Sequence, residues 1–115
     1  MYYVSKKIEI AGSHRLTLDY ESKCSNLHGH NWNIEVFCKS KELNKNGMVV
    51  DFAHVSEIVK QLDHQNINDI LPEGMNPTAE NIAHWLYEQI PCCYKVSVQE
   101  SNGNIATFEE DKEGE

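Results

Sequence analysis

The chain has 115 residues, four of them cysteine, with 10 basic against 18 acidic side chains and a formal net charge of −8. That length makes one domain, the acidic balance argues against a sequence-independent nucleic-acid binder, and no apolar run approaches the roughly 20 residues of a membrane span. The N-terminus lacks the apolar stretch of a signal peptide, so the chain is expected to be cytoplasmic and complete, with reduced thiols.

Residues 2–10 read as a first strand, with Tyr2, Val4, Ile8 and Ile10 on one parity, Lys6 interrupting them and His14 sharing that parity further on. Residues 30–39 form a clearer strand, in which Trp32, Ile34, Val36 and Cys38 alternate with Asn31, Asn33, Glu35 and Phe37. Asn44-Lys45-Asn46-Gly47 signals a turn, and Met48-Val49-Val50 a short extended run. Asp51 is a candidate N-cap for a helix presenting Phe52, Val55, Val59 and Leu62 on one face. Residues 63–76 look irregular, broken by Pro72 and Gly74. Asn76-Pro77-Thr78 opens a second helix, with the proline suited to its first turn, a buried stripe of Ile82, Ala83, Leu86 and Ile90, and Pro91 as its stop. The last two strands are Tyr94–Glu100 and Asn104–Glu109, joined at Asn102-Gly103, a type I′ hairpin signal.

Strand, strand, helix, helix, strand, strand predicts an α+β domain over residues 1–110. Its expected form is a four-stranded antiparallel sheet with two helices on one face. The other face, which carries Phe37, needs solvent or another subunit. Residues 111–115 read as a solvated, mobile acidic tail. The cysteines Cys24, Cys38, Cys92 and Cys93 form no CxxC pair, so they suggest neither a zinc ribbon nor a disulfide framework.

Three imidazoles are candidates for a metal. His28 and His30, one glycine apart, can project from the same side of an extended backbone, and His14 ends the neighbouring strand. The same residues also read as surface or hydrogen-bonded core histidines. Cys24 lies in a polar stretch, Glu21-Ser22-Lys23-Cys24-Ser25-Asn26, which suits a loop thiol better than a core one. A nearby cation or metal would lower its pKa and make it a base or nucleophile. Asp63-His64 can be a proton relay in which the carboxylate fixes the imidazole tautomer, or plain helix-end punctuation. Glu100 shares the parity of Val96 and Val98. It is either an exposed hairpin residue or a carboxylate accepting two hydrogen bonds from an amidine-like ring edge, such as that of a guanine or pterin.

Taken together, Ser13-His14-Arg15-Leu16, Cys24 through His30, Val50-Asp51-Phe52, Leu62-Asp63-His64, Asn76-Pro77-Thr78-Ala79-Glu80 and Gln99-Glu100-Ser101 resemble the 6-pyruvoyl-tetrahydropterin synthase family. The three-residue gap between Cys24 and His28 is most similar to the 6-carboxy-tetrahydropterin branch; pyruvoyl-forming members typically have a longer one. Ser13 departs from the family, where alanine is common.

The resemblance implies that His14, His28 and His30 bind zinc, that Cys24 is the general base, and that Asp63 and His64 relay protons. It implies that Glu100 anchors the pterin ring and joins the relay, with Thr78 near the pterin. The implied reaction takes 7,8-dihydroneopterin triphosphate to 6-carboxy-5,6,7,8-tetrahydropterin, acetaldehyde and triphosphate, within queuosine and other deazapurine biosynthesis. Pyruvoyl-forming or sepiapterin-converting activity is the near alternative, and a non-catalytic zinc or pterin-binding module the distant one. The lone arginine, Arg15, is a candidate for the triphosphate, as are Lys23 and the Lys6–Lys7 pair. The implied fold is the tunnelling fold, a homo-oligomeric barrel of three chains, often stacked to six. Sites between its subunits would have Cys24 and Glu100 straddling the interface.

Overall fold

The computed structural model describes residues 1–112. Strand β1, Tyr2–His14, and strand β2, His28–Ser40, pair antiparallel from Tyr2 opposite Ser40 to His14 opposite His28. Both run beyond the expected 2–10 and 30–39. Helix α1 spans Phe52–Val59 and helix α2 spans Ala79–Gln89, and between them Gln65–Asn66 forms a two-residue strand, β3. Strand β4, Cys93–Ser101, and strand β5, Asn104–Glu109, complete the chain.

The architecture is α+β, as expected, but the sheet has five strands in the order β3-β1-β2-β4-β5. The added strand comes from the segment read as irregular: Gln65 and Asn66 pair parallel to Gly12 and Ser13. Two residues carry no periodicity, so this edge is invisible to pattern reading. Gly12 permits it. A Cβ there would stand 3.1 Å from Ile67 Cδ1 and 3.3 Å from the Leu62 carbonyl oxygen.

One sheet face supplies Ile8, Ile10, Trp32, Ile34, Val36, Val96 and Val98 to the core, where they meet Val55, Ile58, Val59 and Leu62 and the α2 stripe Ile82, Ala83, Leu86 and Ile90. The α1 stripe differs from expectation at both ends. Phe52 is 45% exposed, its ring 5.9 Å from the Lys6 ammonium. Leu62 is buried but stands on the 3₁₀ turn Lys60–Leu62 that follows the helix. Asp51 caps α1 as predicted, its Oδ1 accepting from the Ala53 N–H at 2.9 Å. Thr78 is the cap of α2, which places Pro77 outside the helix rather than in its first turn. Residues 48–50 make no ladder; Met48 ends a turn in which the Asn44 N–H donates to its carbonyl at 2.9 Å, and Val49 and Val50 bend away from it.

The β4–β5 connection also departs from the type I′ reading. That turn needs positive φ at both central residues, and only Gly103 has it, at +84°. The ladder shifts register between Gln99 and Ser101. Glu100 is thus the extra residue of a bulge, a device that supplies local twist by itself.

The second sheet face is mixed: Lys7, Glu9, Asn33, Glu35, Ser97 and Gln99 line it together with the exposed Ile105. On it, the Lys95 ammonium lies 4.8 Å from the half-buried Phe37 ring. Two residues of the expected tail contact the body. Asp111 pairs with Lys39 at 2.7 Å, and Lys112 donates to the carbonyls of Tyr87 and Ile90. The rest of that tail, 113–115, lies outside the described residues.

Candidate metal centre

The β1–β2 ladder brings the three imidazoles together. His14 and His28 are directly opposite each other, and His30 is opposite Gly12, two residues along β2 on the same face. That face is the core face. The histidines continue the row of Ile10, Trp32 and Ile34 to the end of the sheet, and His14 is completely buried. Trp32 backs the cluster, its ring centroid 4.9 Å from His14 and 5.3 Å from His30. Its indole N–H donates to the Gly12 carbonyl at 3.1 Å.

Backbone carbonyls set the tautomers. His14 Nδ1–H donates to the Pro77 carbonyl at 2.7 Å, and His28 Nδ1–H donates to the Asn26 carbonyl at 2.7 Å. A carbonyl only accepts, so in each neutral ring the proton sits on Nδ1 and Nε2 carries a bare lone pair. These two Nε2 atoms stand 3.1 Å apart. Two lone pairs that close repel unless a cation or proton lies between them.

His30 Nε2 is buried with no hydrogen-bond partner among the described residues. It lies 3.3 Å from Glu100 Oε1, within ion-pair reach but not aligned as a hydrogen bond. All three ligand atoms fall within 4.8 Å of one another. Nitrogens about 2.0–2.1 Å from one tetrahedral ion would be roughly 3.4 Å apart, so a small inward closure of the side chains would let the set hold a zinc with three imidazoles and a fourth position for a further ligand. Burial pushes the His14 imidazole below its ordinary pKa, which favours the neutral form a metal requires.

Cys24 stands outside this ligand group. It is half-buried in the 3₁₀ turn Lys23–Ser25, where its N–H donates to Ser22 Oγ at 3.1 Å and its carbonyl accepts from the Leu16 N–H at 2.9 Å. Asp63 and His64 are docked on β1 through Ala11. Asp63 Oδ1 accepts from the Ala11 N–H at 2.9 Å, and the His64 N–H donates to the Ala11 carbonyl at 2.6 Å. The His64 backbone is left-handed, with φ +57°, a conformation uncommon outside glycine. Its imidazole is exposed, with Nε2 3.7 Å from Asp63 Oδ2. Gly12, Ser13, Gly29, His30 and His64 line one open depression.

Glu100 reaches His30 from the bulge on β4. The Thr78 hydroxyl accepts from the Asn81 N–H at 3.1 Å, the helix-capping role. Arg15 is exposed, and its backbone is held by the Asn68 side chain. Sequence reading missed the carbonyls of Pro77 and Asn26, since a carbonyl is common to every residue type and leaves no compositional trace. It also missed Asn68, and it read Asn76 as a helix opener and part of a family-like stretch, with no side-chain role.

Residues 3–111 match the family model described as 6-pyruvoyl tetrahydropterin synthase. A Pyrococcus horikoshii protein provisionally named a 6-carboxy-5,6,7,8-tetrahydropterin synthase is 50% identical over 70 residues, a match covering 57% of this chain and 44% of that relative. The 6-carboxy-5,6,7,8-tetrahydropterin synthase of Synechocystis sp. is 33% identical over 123 residues, covering 94% of this chain and 93% of the relative. Among solved structures, the 6-pyruvoyl tetrahydropterin synthase of Caenorhabditis elegans superposes with a TM-score of 0.75 at 25% identity, covering 96% of each chain.

Proposed function

The chain belongs to the 6-pyruvoyl tetrahydropterin synthase family, and on that premise we propose that it is a zinc-dependent 6-carboxy-5,6,7,8-tetrahydropterin synthase. Its substrate is 7,8-dihydroneopterin triphosphate, and its products are 6-carboxy-5,6,7,8-tetrahydropterin, acetaldehyde and triphosphate, with one water consumed. The reading is carried by the convergence of three Nε2 atoms, two with their tautomers set by carbonyls and the third buried without a hydrogen-bond partner among the described residues.

His14, His28 and His30 hold the metal. Zinc bound there supplies Lewis acidity to the oxygens of the substrate side chain. Cys24, as thiolate, takes the proton from C1′. His64 handles a second proton transfer, with Asp63 beside it to stabilise the charged imidazole. Glu100 accepts two hydrogen bonds from the amino and ring N–H groups of the pterin, at a place where it also faces His30. Thr78 lines the pterin side, and Arg15 meets the triphosphate, offsetting the acidic field of the chain locally. Oxidation of C1′ is matched by reduction of the pterin ring, so no external hydride carrier enters.

The part of the β1 edge that β3 leaves unpaired, the outer edge of β5 and the second sheet face support assembly into a trimeric or hexameric barrel of cytoplasmic chains. Such assembly brings Cys24 and Glu100 to sites between subunits. Sedimentation equilibrium then returns masses in multiples of three chains.

The deciding experiment incubates zinc-loaded protein with 7,8-dihydroneopterin triphosphate and identifies the pterin product. 6-Carboxytetrahydropterin with stoichiometric acetaldehyde is the expected result. 6-Pyruvoyltetrahydropterin, or conversion of sepiapterin alone, assigns another branch. Zinc binding with no turnover of any pterin leaves a binding module.

A further inference from the structure

Beyond His14 the chain runs on through Arg15, Leu16 and Thr17, and two asparagine side chains grip this extension. Asn68 Oδ1 accepts from the Arg15 N–H at 2.9 Å, and its Nδ2 donates to the Arg15 carbonyl at 3.0 Å. Asn76 repeats the pattern on Thr17, accepting from its N–H and donating to its carbonyl, both at 2.8 Å. A primary amide offers the same donor and acceptor as a peptide group. Two such side chains on alternate residues therefore act as a strand partner. They extend the edge that β3 serves only as far as Gly12 and Ser13.

The consequence lies on the other edge of the extension. With Arg15 and Thr17 held on one side, the Leu16 N–H faces the opposite way and donates to the Cys24 carbonyl. Asn76 also connects to the metal side. Its own carbonyl accepts from Asn81 Nδ2 at 2.9 Å, and the carbonyl of its neighbour Pro77 receives His14 Nδ1–H. Asn76 is thus one residue removed from both the Leu16–Cys24 bond and the Pro77–His14 bond.

We propose that Asn68 and Asn76 are positioning residues of this site: they clamp Arg15–Thr17 so that Cys24 and His14 are held in a fixed relation. The inference rests on the metal-and-thiolate reading above and is tested without substrate.

Asn68→Ala and Asn76→Ala are compared with the wild-type chain and with Val55→Ala, a truncation of a buried α1 residue that lowers stability elsewhere. Three quantities are read: zinc affinity by competition with a chromophoric chelator, the d–d bands of the cobalt-loaded protein, and the rate at which iodoacetamide alkylates Cys24 in metal-free protein, resolved by peptide mass spectrometry. Both asparagine variants should alkylate severalfold faster. Asn76→Ala should also lose about tenfold in zinc affinity, the lower range for a group that orients a ligand, and shift the d–d bands of the cobalt-loaded protein. Val55→Ala should leave all three readings at wild-type values.

Wild-type alkylation rates in both asparagine variants would overturn the proposal, as would equal changes in Val55→Ala. Should Asn76→Ala not fold, Asn68→Ala and Asn76→Asp decide. The latter keeps the acceptor for the Thr17 N–H but sets an oxygen against the Thr17 carbonyl. If the wild-type chain itself binds no zinc, the metal reading fails, and the alkylation rates still decide this inference.

Discussion

His30 Nε2 is buried without a hydrogen-bond partner among the described residues, and such a group costs about 1–3 kcal/mol in desolvation. Removing it should therefore separate stability from function. His30→Leu in metal-free protein is expected to melt at or above the wild-type temperature, while zinc affinity in the chelator competition falls by roughly two orders of magnitude or more with the loss of a direct ligand. A large drop in melting temperature would mean that the imidazole is structural. Cys24 gives the complementary result, because its sulfur stands outside the ligand group. Cys24→Ala should retain stoichiometric zinc by metal analysis and lose turnover by about 10²- to 10⁴-fold, the range for a positioned acid or base. Loss of zinc would make the thiol a ligand instead. The grouping of the imidazoles was legible in the sequence because strand alternation places His28 and His30 on one side and His14 on the neighbouring strand. The groups that aim them, the Pro77 and Asn26 carbonyls, were not, since only the fold decides which carbonyl meets which ring.

The β1–β2 hairpin is the element that builds the centre, and its alternation was readable along the apolar rows of both strands. Its far end was harder to read, since Ala11, Gly12 and Ser13 have weak strand propensity and are held by neighbours. Gly12 is where Ile67 and Leu62 press against β1. Gly12→Ala is therefore expected to cost about 1–3 kcal/mol through overpacking, measured as a lower urea midpoint with an unchanged m-value. A neutral substitution would mean that the Ile67 side chain yields freely. The β4–β5 hairpin teaches the converse. Asn102-Gly103 located the turn correctly, but the bulge at Glu100 took up the twist that a type I′ turn would otherwise supply. The bulge leaves this acidic side chain 3.3 Å from His30. No local sequence rule reports such a bulge, because its benefit lies in the neighbouring strand.

At the scale of the whole molecule, the three imidazoles join parts of the chain that are distant in sequence. β1 and β2 contribute directly, and the 66–78 segment joins through the Pro77 carbonyl on His14. An ion at this point links the sheet to the connection between the helices, so binding should stabilise the whole domain rather than one loop. With free zinc at 100 times its dissociation constant, linkage adds about 2.7 kcal/mol. For a domain of this size that is a rise in melting temperature on the order of 10 °C. Chelator-treated protein titrated with zinc and followed by calorimetry should show this rise as one cooperative transition. His28→Ala should abolish it, because the remaining two imidazoles cannot close the set. A rise that persists in His28→Ala would place the ion elsewhere, and a second transition unmoved by zinc would show that the helical connection is not tied to the centre. In an assembled oligomer the same experiment should give a midpoint that climbs with protein concentration, and the zinc-dependent increment should then add to the concentration-dependent one.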